Sequence, residues 1–122
     1  MSTLQTPPPP VVHLELHTKD RTRASAFYAG LLQWRPELIR AASGCYLALD
    51  LGAGVGGGIV ECGAQRALWL PYVEVNRVDE ATERARRLGA SVLLEPRDGP
   101  SGRRSVVSSA EAGELALWEP KR

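Results

Sequence analysis

The chain contains one pattern twice, and that repeat limits what it can fold into. Residues 13–34, HLELHTKDRTRASAFYAGLLQW, read as an alternating strand running into an amphipathic helix. About 57 residues on, residues 70–90, LPYVEVNRVDEATERARRLGA, give a strand, a polar junction and a helix again. Few residues are identical between the copies (Ala24 matches Ala81 and Leu31 matches Leu88), yet the apolar spacing agrees almost position by position. A repeat of this length is half a domain rather than one unit of a solenoid. Two such halves pack as a pseudo-symmetric pair with a cleft between them, and function is expected in that cleft.

Residues 11–18 are predicted as the first strand. Leu14 and Leu16 point one way and His13, Glu15 and His17 the other, because strand side chains alternate. Thr18 or Asp20 caps the helix that follows. Its apolar positions Ala24, Phe27, Tyr28, Leu31 and Leu32 fall at i, i+3, i+4, i+7 and i+8, a stripe expected to face the core. Pro36 closes the helical region. Residues 37–42 and 45–51 read as a hairpin turning at Ser43-Gly44, and residues 59–62 as a further strand. The second copy repeats this order with a strand over 68–75 and a helix whose buried stripe is Val78, Ala81, Ala85 and Leu88. Gly89 is its C-cap glycine. Strands follow over 91–95, 105–109 and 114–119, with residues 96–104 expected as a polar loop.

The expected class is therefore α+β, with two βαβββ modules over about residues 11–62 and 68–120. Their sheet is mostly antiparallel, since the strands after each helix have connections too short for parallel crossovers. Residues 1–10, MSTLQTPPPP, are expected as a disordered proline-rich tail, leaving residues 11–122 as a single domain.

A formal net charge of +1 supplies no global field toward nucleic acid or an anionic membrane. Arg84, Arg86 and Arg87 lie on a helix beside Glu80 and Glu83, which reads as a solvated face. No apolar run approaches the roughly 20 residues that span a bilayer, and the N-terminus lacks a signal-peptide pattern, so a cytoplasmic location is expected. Cys45 and Cys62 are far apart, without zinc-finger spacing, and read as two reduced thiols. The run GAGVGGG at residues 52–58 invites a phosphate-loop reading. It lies between two strands with no helix after it, so a bend or a close approach of backbone explains it better.

A strand opening with His13, a polar junction, a helix carrying FYAGLLQW, three strands, and then the pattern again: this order resembles the vicinal oxygen chelate superfamily. That group includes glyoxalase, bleomycin-resistance and extradiol-dioxygenase proteins. Supporting fragments are Phe27-Tyr28, WLPYVEV at 69–75, RARRLGA at 84–90 and GELALWEP at 113–120, and the resemblance covers residues 11–120. It implies an open, barrel-like sheet around a central cleft. In enzymes of that group a metal in the cleft is held by one side chain from the first and last strand of each half, and acts as a Lewis acid. Zn, Fe, Ni or Mn suit such a site.

Carried over residue by residue, the first ligand falls on His13 and the one opening the second half on Leu70. The last falls on Leu117, unless the register slips to Glu119, and the remaining one on Glu61. Leucine cannot coordinate a metal, so the resemblance implies an incomplete site. His13 and Glu61 are then the metal-ligand candidates, Leu70 and Leu117 are lining positions, and the cofactor is either none or one divalent metal. His13 and His17 cannot both reach one ion without bending, because consecutive same-face residues already lie nearly 7 Å apart at a rise of about 3.3 Å per residue and these two are separated by two such steps.

Three readings follow for the cleft. In the first it binds a small organic, partly aromatic molecule without the usual metal, as bleomycin-resistance proteins do, using His13, His17 and Tyr72. Tyr28, Trp34 and Trp69 read as packing residues, and Trp118 is expected to face away. In the second the protein is a metal-dependent lyase, isomerase or dioxygenase with a rearranged site. Glu15, Glu74 or a histidine is then the base, with raised carboxylate pKa values and a bound ion expected. In the third the polar groups simply hydrogen-bond one another in a wet pocket. The resemblance also implies a homodimer.

Overall fold

The computed structural model describes residues 7–41, 44–63 and 65–121. The first module contains β1 (Val11–Thr18), α1 (Arg21–Leu32), β2 (Glu37–Ala41), β3 (Gly44–Asp50) and β4 (Gly56–Glu61). The second contains β5 (Leu68–Glu74), α2 (Val78–Arg87), β6 (Ser91–Asp98), β7 (Gly102–Ser109) and β8 (Gly113–Pro120). All ten elements fall in the expected βαβββ order. They form one eight-stranded sheet in the order β2-β3-β4-β1-β5-β8-β7-β6, which reads the same from either end when the modules are exchanged. The hairpin pairs are antiparallel, and so is β1 with β5, whereas β1–β4 and β5–β8 are parallel. Of the expected turn at Ser43-Gly44, Ser43 lies outside the described residues and Gly44 opens β3 opposite Ala41; residues 1–6 of the tail also lie outside the described residues. Residues 7–10 are exposed, and the Pro10 carbonyl accepts the Glu74 N–H at 3.0 Å, carrying the ladder one residue beyond β1.

Both helices cover the same face of the sheet. Leu16, Leu49 and Ile59 are the buried centre beneath α1, joined by Ala24, Tyr28, Trp34 and Trp69. Val78, Val107 and Leu117 form the equivalent centre beneath α2. Asp20 is the N-cap of α1, accepting the Arg23 N–H at 3.0 Å, and Thr18 Oγ1 accepts the Asp20 N–H. The predicted stripe of α1 is only half buried. Ala24 and Tyr28 pack on the sheet, while Phe27 and Leu31 are 60% and 61% exposed and Leu32 also faces out. A helix resting on one sheet with no second layer above it can bury only the narrow arc that touches the strands. On α2, Leu88 is likewise exposed, because it is the C-cap residue beyond the last packed turn. Gly89 adopts a φ of 97°, and the bonds Gly89 N–H to Arg86 and Ala90 N–H to Ala85 complete a Schellman motif.

The position that Leu88 was expected to share is taken by Thr82. This side chain is buried, and its Oγ1 donates to the Val78 carbonyl at 2.6 Å and meets Ser105 Oγ at 2.7 Å. Thr82→Val is expected to cost about 1–3 kcal/mol, because it strands the Ser105 hydroxyl in a dry environment. Urea unfolding should show Thr82→Val/Ser105→Ala recovering part of that loss. A double variant less stable than the sum of the two singles would refute the pairing.

The glycine run divides into two parts. Gly52, Ala53 and Gly54 all have positive φ and make the tight turn after β3, closed by the Val55 N–H to Gly52 bond at 3.0 Å. Gly56, Gly57 and Gly58 open β4, which starts three residues earlier than Ile59, the predicted start. A second departure lies in the expected loop at residues 96–104. The β6–β7 ladder continues through Arg97↔Arg104 and Asp98↔Arg103. Pro96 is tolerated there because β6 is an edge strand and the register shifts between Leu94 and Arg97.

Candidate functional site on the helix-free face

Strand register sorts every side chain to one face or the other. On β1, Leu16 and Thr18 are buried toward the helices, so His13, Glu15 and His17 take the opposite, helix-free face. Across β1–β5 they pair with Tyr72, Leu70 and Leu68, and across β1–β4 with Gly56, Gly58 and Val60. Further along the second module, Tyr72 pairs with Ala116 and Glu74 with Trp118. Ala116 and Trp118 pair in turn with Val106 and Arg104. Leu70, Tyr72 and Ala116 are buried on this face, with Val12, Val106 and Trp118 packed against them.

A chain of polar contacts crosses this apolar floor from one module to the other. His17 Nε2 lies 2.8 Å from Glu15 Oε1, and His13 Nε2 lies 3.7 Å from Glu15 Oε2, an electrostatic contact rather than a full hydrogen bond. Tyr72 donates its hydroxyl to Glu15 Oε1 at 3.1 Å and accepts from an Arg104 guanidinium N–H at 2.7 Å. The His13 and Tyr72 rings meet edge-on, with centroids 5.1 Å apart. Burial alone would raise the Glu15 pKa. The contacts from His13, His17 and Tyr72 outweigh it and bring the pKa from 4.5 down to about 2. Tyr72 is pushed up from 10.0 to about 12 by burial and by the Glu15 charge, against the opposing pull of Arg104. Glu15 is thus a fixed anion and Tyr72 a fixed neutral phenol across the ordinary pH range. An ionised carboxylate only accepts, so His17 presents an N–H to it at Nε2.

The structure brings together His13, Glu15, His17, Leu70, Tyr72 and Glu74 on one face, as the alternation implies. Two expected positions lie elsewhere. Glu61 pairs with Thr18 on the helix side, and its carboxylate accepts the Arg21 N–H at 2.8 Å, satisfying the first turn of α1. Leu117 is buried against Val78 and Val107 beneath α2. The β8 register is therefore one residue away from the one expected, which puts Ala116 and Trp118 on the helix-free face instead. Arg104 was missed because it was assigned to a loop. The alternation of Arg104, Val106 and Ser108 marks it, but only once the start of β7 is known. Tyr28, Trp34 and Trp69 pack together on the helix side, with Tyr28 and Trp34 stacked at 5.3 Å.

The metal that the resemblance implies does not fit these residues. On the helix-free face, β4 offers Gly56, Gly58 and Val60, and the buried β5 and β8 positions are Leu70 and Ala116. His13 is the one nitrogen donor at a family ligand position, and its ring lies over the two glycines. A Cβ on Gly56 would sit 3.4 Å from His13 Nδ1, and one on Gly58 3.7 Å from Nε2. Among the described residues, no group of three or more His, Cys, Asp or Glu side chains is arranged to hold a metal ion. Two open surface hollows lie away from this network, one along α2 and one between Trp34 and Asp50.

No family model matches the chain, and no curated protein matches it by sequence. Solved structures do. A hypothetical protein of Bacillus halodurans superposes with a TM-score of 0.72 at 14% identity, over 95% of this chain and 97% of the other. Methylmalonyl-CoA epimerase of Mycobacterium tuberculosis gives 0.61 at 16% identity, over 92% and 88%. A variant of 4-hydroxymandelate synthase from Streptomyces coelicolor gives 0.69 at 18% identity, over 96% of this chain and 40% of that one. With two βαβββ modules paired through their first strands into one open sheet, this chain has the fold of the vicinal oxygen chelate superfamily.

Proposed function

We propose that the protein binds a small organic molecule, partly aromatic, on the helix-free face, without the four-ligand metal site of its fold. The observation that carries this reading is the contact chain from Arg104 through Tyr72 and Glu15 to His17. It crosses an apolar floor of Leu70, Ala116 and Val106, with Trp118 and His13 at hand. Few, fixed polar groups in an apolar and aromatic surround are the usual composition of a small-molecule site. The family reading closest to this is the bleomycin-resistance type, in which the cleft sequesters rather than transforms.

The alternative, a metal-dependent lyase, isomerase or dioxygenase, finds little support in the donor set. One of its candidate bases, Glu15, is lowered rather than raised in pKa, which makes it a poor proton acceptor near neutral pH. Similarity to epimerases and a synthase bears on fold at these identities and leaves the chemistry to the residues present. A homodimer is the proposed working form. The face is open, β2 and β6 leave two unpaired sheet edges, and Phe27 and Leu31 are exposed.

The test is elemental mass spectrometry of the purified protein and of His13→Ala, with thermal-shift screening of aromatic compounds. Less than about one-tenth equivalent of any transition metal, with stabilisation by some compounds that is lost in Tyr72→Ala, is the expected outcome. Stoichiometric Zn, Fe, Ni or Mn that disappears in His13→Ala would overturn the proposal.

A further inference from the structure

Two neighbouring arginines on the second module differ sharply in their surroundings. Arg103 lies on the helix side. Its guanidinium is claimed by Asp79 at 2.9 and 3.1 Å and by Asp98 at 3.2 Å. Arg104, on the helix-free face, is half-buried, and its one hydrogen-bonded side-chain partner among the described residues is the Tyr72 hydroxyl, a phenol held neutral. Directly across β6–β7 from it stands Arg97. Neither Arg97 nor Arg104 has a carboxylate partner among the described residues. Like charges directly opposite on adjacent strands destabilise a sheet, and a half-buried cation without a counter-ion is costly. Glu15 makes no direct ion pair with Arg104: the Tyr72 hydroxyl bridges the two, and the carboxylate also meets the imidazoles of His13 and His17. Glu74 shares the row but lies two strands from Arg104, with Trp118 between.

We infer that Arg97 and Arg104 form an anion-binding pair at the β6–β7 side of the helix-free face, so that the ligand is an aromatic carboxylate. This rests on the proposed function and names its ligand class. The carboxylate occupies the space between the guanidinium groups, which present planar N–H donors suited to bidentate pairing. The ring lies over Trp118, which pairs with Arg104, and toward Tyr72 and His13. Tyr72 fixes one guanidinium N–H of Arg104 and leaves its remaining donors for the anion. The neutral phenol serves here because an anionic partner would compete with the ligand.

Calorimetric titration of the 122-residue protein with matched pairs tests this. The probes are benzoate against benzamide, 2-naphthoate against 2-naphthamide, and inorganic phosphate. Each carboxylate should bind at least about tenfold more tightly than its amide, with naphthoate tighter than benzoate. Arg97→Gln, at an exposed edge position where folding is not at stake, should erase the preference, and Arg97→Lys should restore part of it. Equal binding of acid and amide, unaffected by Arg97→Gln, overturns the anion pair while leaving the face as a binding surface. Phosphate binding as tightly as naphthoate overturns the aromatic half. No binding by any probe overturns this inference and counts against the proposed function as well.

Discussion

Acidification from about pH 4.5 toward pH 2 is expected to remove about 3 kcal/mol of stability through Glu15 alone. The folded-state pKa of about 2 lies below the ordinary 4.5, so the folded protein releases this proton more readily than the unfolded chain. For a depressed carboxylate the stabilisation is fully present above the unfolded value and is lost as pH falls through the folded one. Urea unfolding across that window should show the loss. Glu15→Gln removes the titrating group, and should lie below the wild type at neutral pH by a similar amount and converge with it near pH 2. A difference that stays constant with pH would show that Glu15 is not the group responsible. Tyr72 gives the mirror-image limb. Its raised value favours the folded protein below pH 10, and that contribution fades as pH climbs from 10 to about 12. Tyr72→Phe should lack this alkaline loss.

Gly102→Ala should destabilise the protein by about 3 kcal/mol and disturb the helix-free face at the same time. A Cβ on Gly102 would fall 2.3 Å from the Glu119 carbonyl oxygen and 2.7 Å from Trp118 Nε1. The first contact is with backbone of the paired strand, since Gly102 faces Pro120 where the β7–β8 ladder begins, so no rotamer change relieves it. The ladder must shift, and Trp118 and Arg104 shift with it. Tryptophan fluorescence should therefore change with stability, and binding of 2-naphthoate should weaken. Gly57→Ala is the control. Its nearest contacts, at 2.7–3.0 Å, are with the end of the Leu51 side chain, which can rotate away, so a loss about half as large is expected. Equal stability of Gly102→Ala and the wild type would mean that β7 and β8 do not approach as described.

Much of the fold is legible before any coordinates. The two βαβββ copies, the Asp20 cap, the Gly89 terminus and the rejection of a phosphate loop all follow from local pattern, because period and capping are properties of adjacent residues. Alternation along VVHLELHT likewise places His13, Glu15 and His17 on one face. The repeat offset brings Tyr72 beside them, and the hydrogen bond from Tyr72 to Glu15 joins the two residues that this offset makes equivalent in the two copies. Carrying the last ligand position of the resemblance into GELALWEP, however, puts Leu117 where Ala116 stands, an error of a single residue. With a period of two, one residue exchanges the faces of the whole strand. Glu61 fails for the same reason, since β4 begins inside the glycine run and its register is set by pairing with β1.

The sequence by itself determined the modules, the helix ends and the polar face of β1, each the outcome of interactions within a few residues. Tertiary structure alone decided which face each later strand presents, that β6 and β7 extend through Arg97 and Arg104, and that Glu61 serves α1 rather than the site. It also decided that the imidazoles hold Glu15 while Arg104 donates to the Tyr72 phenol. Those outcomes depend on which strand lies beside which, and cross-strand register is a long-range property that no local window of sequence contains.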